Sequence, residues 1–291
     1  MNRRSFVQQS LAAALLTSPA LAALAADNRY RTQIGLQLYT LRTPLAKDPK
    51  ATLQAVADAG YQQVELYGFP NSQAQIDAAR AAGLSLHSAH FEWDSVVNPK
   101  DAALSDFAKI LDKAKESGLR HLVIPYLMPK NRNTLDDYRK VAENANRAAA
   151  MAKKSGIQLS YHNHNFEFAP LDGGKSGFDV FVEEFSADMK FELDVFWVVA
   201  AGLDPIRLLE KLKGRVTQLH LKDLKAGVKT PTFQTNVPED AFRELGRGTI
   251  AMAPIIEAAA KAGVEHCHVE QDQSPDPLAS VKQSIAYLKT L

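Results

Sequence analysis

Short apolar, β-branched or aromatic runs alternate along this chain with longer segments whose apolar positions recur at helical spacing. Runs at residues 34–41, 61–69, 84–91, 121–127, 157–168, 189–195, 216–221 and 266–269 predict eight strands. Between and after them, residues 49–59, 72–82, 103–117, 134–155, 178–185, 205–213, 254–262 and 277–291 predict helices. The pairs Ala59-Gly60, Ala82-Gly83, Ser117-Gly118, Ser155-Gly156 and Ala262-Gly263 stand where a helix should stop, because glycine tolerates the left-handed backbone that ends one. Pro49, Pro205, Pro254 and Pro277 occupy first helical turns, where a missing N–H costs nothing.

Parallel strands need crossover connections, so eight strand–helix repeats imply a parallel sheet with helices outside. Closure into a (β/α)8 TIM barrel, a single α/β domain, is the economical solution. An open doubly wound sheet is the second choice, and no Gly-x-Gly-x-x-Gly follows the first strand.

The start of the chain reads differently. Arg3-Arg4-Ser5-Phe6 precedes a Leu/Ala-rich run ending near Ala23-Leu24-Ala25, which is the pattern of an export signal. The paired arginines point to the twin-arginine type, so residues 1–26 are expected to be a signal peptide and residues 27–291 the barrel. An uncleaved anchor is the alternative, although the run is short and alanine-rich for a span of about 20 residues. The expected address is the periplasm, with no stable membrane association after cleavage.

Removing that segment leaves about 265 residues, close to the ~250 of one barrel domain. Hydrophobic residues make up 46% of the chain, enough to fill a large core. The full chain has 34 basic against 33 acidic residues, and loss of Arg3 and Arg4 brings the balance to −1. That balance carries no electrostatic footprint for nucleic acid. Cys267 is the one cysteine, so no internal disulfide can form.

In a TIM barrel, chemistry sits at the C-terminal ends of the strands. Carboxylates and imidazoles concentrate there: His162-Asn163-His164, Glu192-Leu193-Asp194, His220-Leu221-Lys222-Asp223 and His266-Cys267-His268-Val269-Glu270. Alternation puts His162 and His164 on one face, and likewise His220 with Lys222 and His268 with Glu270. Glu65 lies inside Val64-Glu65-Leu66 of the second strand, where a buried charge is costly unless paired or metal-bound. A single strand-end histidine is more often hydrogen-bonded structure than a ligand, and His121 and His266, at strand starts, fit that structural reading. His87 and His90 are three apart and cannot both point inward; Glu192 shares the face of Asp194 but lies deeper, as a salt-bridge partner would. Asp194, His220 and Glu270, from three separate strands, together read as functional.

From Tyr30 to Leu291 the chain resembles the xylose isomerase-like barrel family, the sugar phosphate isomerase/epimerase group. The resemblance is carried by Tyr161-His-Asn-His-Asn-Phe-Glu-Phe168, Glu192-Leu-Asp-Val-Phe-Trp197, Leu219-His-Leu-Lys-Asp223, Glu244-Leu-Gly-Arg-Gly248 and Val269-Glu-Gln-Asp272. It implies one divalent ion held by Glu, Asp, His and Glu from strands five to eight, the last three falling on Asp194, His220 and Glu270. The first position departs: the family's Glu-Asn-His reads His162-Asn163-His164 here, with Glu167 nearby as a substitute carboxylate. Two imidazoles and two carboxylates suit Mn, Co, Fe, Ni or Zn better than Mg or Ca.

The chemistry so implied is proton abstraction beside a sugar carbonyl, the ion stabilising the enediolate. Glu270 is the expected general base, with His162 or His164 moving the second proton and Lys222 meeting a substrate oxygen. Trp197 and Phe91 are expected as aromatic walls, and Glu65, Gln37 and His90 as substrate contacts. Export, and the lack of a glycine-rich phosphate cradle, favour a non-phosphorylated sugar or glycoside. Reprotonation would make the protein an isomerase or epimerase. Loss of a β-oxygen would make it a lyase or dehydratase acting on a 3-keto-glycoside, and His162 in place of glutamate weakens symmetrical two-base epimerisation. A sugar-binding protein with a vestigial site and a barrel endonuclease are the other classes, the latter disfavoured by the near-neutral charge. The segment 225–240, with Pro231 and Pro238, is expected to cover the pocket.

Overall fold

The structure, a computed structural model, describes residue 30 and residues 33–235 and 237–291; the expected signal peptide lies outside the described residues. Eight strands close into a barrel: β1 (Gly35–Gln37), β2 (Gln63–Phe69), β3 (Ser85–Phe91), β4 (His121–Ile124), β5 (Gln158–His162), β6 (Met189–Asp194), β7 (Val216–Leu221) and β8 (His266–Val269). Every neighbouring pair is parallel, and β1 pairs with both β2 and β8 to complete the ring. This is the TIM barrel that the strand–helix alternation predicts.

Helices wrap the outside, and the expected punctuation is visible at their ends. Asp48 caps Pro49–Ala59 by accepting from the Ala51 N–H, and Gly60 closes it at φ 104°. Thr134 and Asp137 form a reciprocal capping box at the start of Leu135–Lys154, as Ser176 and Asp179 do for Gly177–Glu184. One helix begins earlier than its proline suggests. Met252–Ala262 places Pro254 third, still inside the first turn, where the helix has no partner for its N–H.

Three strands are clearly shorter than the apolar runs predict, β4 ending at Ile124 and the first and fifth strands stopping further short of their runs. After Gln37 the chain turns into a 3-10 segment, Leu38–Leu41, because the Gln37 side chain accepts from the Tyr39 N–H. The fifth strand ends at His162, and Phe166–Phe168 forms a separate 3-10 turn. After β7, Asp223–Leu224 pairs antiparallel with Phe242–Arg243. None of the described residues of the intervening loop lines the pocket, which it was expected to cover. It is held to one side, where Asn165 Nδ2 donates to the Thr232 and Gln234 carbonyls and the Thr232 N–H donates to Ala200 O.

The barrel interior carries polar layers rather than a purely aliphatic fill. Gly35 shows how tightly they pack: a Cβ there would stand 2.4 Å from His268 Cδ2. Among the described residues, no helix is long and apolar enough to cross a membrane.

Candidate active site

His162, Asp194, His220 and Glu270 converge at the C-terminal mouth, each from a different strand end. All four are buried, and one ligand atom from each falls within 4.8 Å of the others. Register explains the convergence, since Asp194 stands beside His220 across the β6–β7 pair and His220 beside His268 across β7–β8. Asp194 divides its two oxygens. Oδ1 accepts from the Trp197 N–H and so caps the helix Val195–Ala200, while Oδ2 faces His162 Nε2 at 3.3 Å. The Asn163 side chain accepts from the Asp194 N–H at 3.0 Å and fixes the strand end.

Lys222 reaches into the same group. Its ammonium lies 3.0 Å from Asp194 Oδ2, 2.8 Å from Glu270 Oε2 and 2.8 Å from Asp272 Oδ1. Burial alone would raise the Asp194 carboxyl; Lys222, then His162 and His220, outweigh it and hold it below its usual range. The same balance, burial against Lys222 and His220, keeps Glu270 well below. Asp272 comes out the other way, pushed up to about 6 by burial and the Glu270 charge despite Lys222. Burial depresses the imidazoles of His162 and, further, His164, so both are neutral near pH 7.

A second layer lies directly beneath. Glu65 accepts from Gln37 Nε2 at 2.6 Å and from Ser88 Oγ at 2.5 Å; Glu192 accepts from Gln218 Nε2 at 2.9 Å and meets His90 Nε2 at 2.7 Å. His220 bridges the layers. Its Nε2 lies 2.8 Å from Glu65 Oε1, and its Nδ1 lies 2.7 Å from Glu270 Oε2. Burial lowers the His220 pKa, but the Glu192 and Glu270 charges override it and raise the value well above normal.

These residues fit a divalent cation. His220 Nδ1 and Glu270 Oε2 stand 2.7 Å apart, and the buried Nδ1 atoms of His220 and His162 have no hydrogen-bond partner. Buried polar atoms left unpaired are costly, and mixed imidazole and carboxylate donors suit a late first-row metal. A second possible group, Glu65, Glu192, His220 and His268, shares His220, but its carboxylates are already satisfied by Gln37, Ser88, Gln218 and His90. The upper group is therefore the better seat, and it is the one that opens to solvent.

The opening is a pocket of about 550 Å³ whose floor is His162, His164, Lys222, Glu270 and Asp272. Its walls are aromatic: Tyr39, Tyr67, Phe91, Trp93 and Tyr126. Of the residues expected from sequence, His90 and Phe91 also line it. Four others do not. Glu65 and Gln37 are fully buried in the lower layer, because strand alternation fixes the face of a side chain but not its depth. Trp197 sits in the helix after β6, behind His164 at 5.2 Å between ring centroids, and forms no pocket wall. Glu167 is tied to the Tyr161 hydroxyl at 2.6 Å and the His164 N–H at 2.8 Å, facing away from the metal group, so it does not replace the missing glutamate. Burial pushes its carboxyl up to about 7.

Asp272 and the tyrosine and tryptophan walls escaped sequence reasoning. Asp272 was findable, since it follows Glu270 by two and alternation repeats its face. Trp93 and Tyr126 come from loops, which carry no periodic signal, Tyr39 from the 3-10 turn after β1 and Tyr67 from near the end of β2.

Comparison with known proteins agrees with this architecture. The model of the xylose isomerase-like TIM barrel family matches residues 53–291. An inosose dehydratase of Mesomycoplasma hyopneumoniae is 24% identical over 265 residues, covering 82% of this chain and 87% of that protein. A sugar phosphate isomerase/epimerase from Parabacteroides distasonis superposes with a TM-score of 0.70 at 25% identity, covering 89% of this chain and 94% of the other. The fold also matches the IolI protein with a zinc atom, at TM-score 0.67 and 12% identity over 89% of this chain and 98% of the other. On the strength of a family match running from the first helix of the barrel wall to the last residue, the chain belongs to the xylose isomerase-like TIM barrel family.

Proposed function

We propose that this protein is a divalent-metal-dependent enzyme that removes the proton next to the carbonyl of a non-phosphorylated sugar. The observation that carries this reading is the convergence of His162, Asp194, His220 and Glu270 at an open, aromatic-walled pocket whose floor includes His162 and Glu270. An ion held by those four residues supplies Lewis acidity toward a sugar carbonyl. Glu270, ionised through its buried cationic neighbours, is placed to accept the proton. His162 and His164, neutral on the facing part of the floor, can take or return a second proton. Lys222, with its three N–H donors taken by Asp194, Glu270 and Asp272, holds the carboxylates together.

The pocket lining bears on the substrate. Lys222 is the one lysine or arginine among the described residues of the lining, and it is committed to three carboxylates, while His90 is paired with Glu192. A phosphate would find no free positive charge there, whereas a sugar ring can stack on the tyrosines and Trp93. Residues 1–26 support a periplasmic address, where phosphorylated sugars are scarce; a cell fractionation with a tagged chain tests it.

Two outcomes branch from the common first step. Isomerase or epimerase chemistry follows from reprotonation of the carbon. β-Elimination, as in a dehydratase or 3-keto-glycoside lyase, is favoured by one specific observation: imidazole stands where a second metal-facing carboxylate base would be, leaving Glu270 unmatched. The inosose dehydratases at 24% identity support the same branch. Proton NMR of the metal-loaded protein in deuterated water, with 3-keto-glucosides and free ketoses, separates them. Deuterium beside an intact carbonyl with the glycosidic bond retained means isomerase or epimerase; release of the aglycone with an unsaturated keto sugar means lyase. Absence of exchange from every substrate, with metal bound, would sink the proposal.

A further inference from the structure

The opposite end of the barrel holds a second cluster that the sugar chemistry does not use. His121 opens β4, His266 opens β8, and Glu265 immediately precedes β8. A ligand atom from each lies within 4.8 Å of the others, with His121 Nε2 3.5 Å from Glu265 Oε2. The rings of His121 and His266 meet edge to face at 5.5 Å, and His87 of β3 stacks on the far side of His266 at 4.9 Å. In the ring order, β4 and β8 are four strands apart either way, so these contacts cross the barrel lumen.

As hydrogen-bonded structure the two imidazoles of the cluster are poorly satisfied. His121 is 3% exposed, yet its Nδ1 has no hydrogen-bond partner, and neither has the buried Nδ1 of His266. Burying an imidazole nitrogen unpaired is unfavourable, and a metal ion satisfies two imidazoles and a carboxylate at once. There is also a way in. His121 and Glu265 line a surface cleft of about 450 Å³, and half of the Glu265 side chain is in solvent. Of the lysines beside that cleft, Lys153 is paired with Asp188 at 2.6 Å and Lys190 donates to the Gly214 carbonyl at 2.9 Å.

We propose that the N-terminal mouth of the barrel binds a zinc ion through His121, Glu265 and His266, joining β4 to β8 across the lumen. Two histidines and a glutamate form a common zinc set, with the fourth position left to water from the cleft. Zinc–ligand bonds of about 2.0–2.2 Å require these side chains to draw in by small torsional shifts, which the solvent-exposed Glu265 permits. The role is structural: in a chain with one cysteine, the ion supplies the cross-link that no disulfide can.

The test is zinc stoichiometry by equilibrium dialysis of the metal-stripped full chain, read by elemental analysis. Wild-type protein is expected to bind one more equivalent than the Glu265→Gln/His266→Asn variant, while Asp194→Asn loses its equivalent independently at the other end. Equal stoichiometry and affinity in wild type and the Glu265→Gln/His266→Asn variant would overturn the proposal. If the double variant does not fold, the imidazole resonances of wild-type protein decide. Zinc-dependent shifts of His121 and His266 support the site, and unshifted signals at saturating zinc refute it.

Discussion

At the scale of single residues, each functional side chain also has a structural duty, and the two can be separated by the choice of substitution. Asp194 is the clearest case, with one oxygen capping a helix and the other facing His162 and Lys222. Asparagine keeps an oxygen for the cap but loses the charge; alanine loses both. Both variants should lower metal occupancy, and only Asp194→Ala should cost a further ~1 kcal/mol of stability in urea unfolding. Equal stability of the two would mean that the cap carries no weight. Glu270→Gln tests the base directly. Its turnover should fall about a hundred- to ten-thousand-fold while the folded spectrum is retained, and near-normal turnover would remove Glu270 from that role. Glu167, outside the pocket lining, offers a pH signature. Its folded pKa of about 7 lies above the unfolded value, so its neutral form stabilises the fold fully below about pH 4.5. That contribution is lost as pH rises through 7, roughly 3 kcal/mol in all. Against wild type, Glu167→Gln should therefore gain stability progressively from pH 4.5 to 7 and hold a constant difference above it. A pH-independent difference in urea titrations would show that the buried carboxyl does not titrate there.

At the scale of elements, the sequence was most legible where local chemistry sets the structure. Pro49, Gly60, the Thr134 box and Gly263 announce helix ends because caps satisfy backbone groups within a few residues. It was least legible where an apolar run is continuous. Val195-Phe-Trp-Val-Val-Ala reads as strand or helix alike, and the Asp194 cap decides for helix, which takes Trp197 out of the pocket. Depth along a strand is equally silent in sequence, hence the misplacing of Glu65 and Gln37. The stretches Leu219–Asp223 and Glu244–Gly248, which carry the family resemblance, turn out to be joined. The Asp223 carboxylate accepts from the backbone N–H groups of Leu224, Gly246, Gly248 and Ile250. A Cβ on Gly248 would stand 2.3 Å from Asp223 Oδ1, so glycine is required by close approach. Gly248→Ala should break this clamp and cost on the order of 1–3 kcal/mol in urea unfolding, with metal stoichiometry unchanged. A neutral effect would mean that the loop accommodates the methyl group and that the clamp is loose.

For the whole molecule, the lumen that other folds would fill with aliphatic side chains is here a stack of polar layers. Glu65, Glu192, Asp194 and Glu270 are all buried in it, set against His90, His220 and Lys222. Buried carboxylates are tolerated only when paired, so the barrel's stability is tied to what occupies its mouth. A cation that binds the folded chain and not the unfolded one adds about 2.7 kcal/mol at a free concentration of 100 times its dissociation constant. For a domain of this size that is a rise of roughly 5–10 °C in the unfolding midpoint. Stripping the protein with a chelator should lower the midpoint by that amount, and restoring zinc or manganese should recover it. In Asp194→Ala the part of the shift due to the active-site ion should vanish, whereas in Glu265→Gln/His266→Asn it should remain. A midpoint indifferent to chelation in wild-type protein would show that Lys222 and the protonated His220 already neutralise the layers. The residues that converge on Glu270 would then form a self-sufficient ionic core, and the metal-dependent reading of the pocket would fail with it.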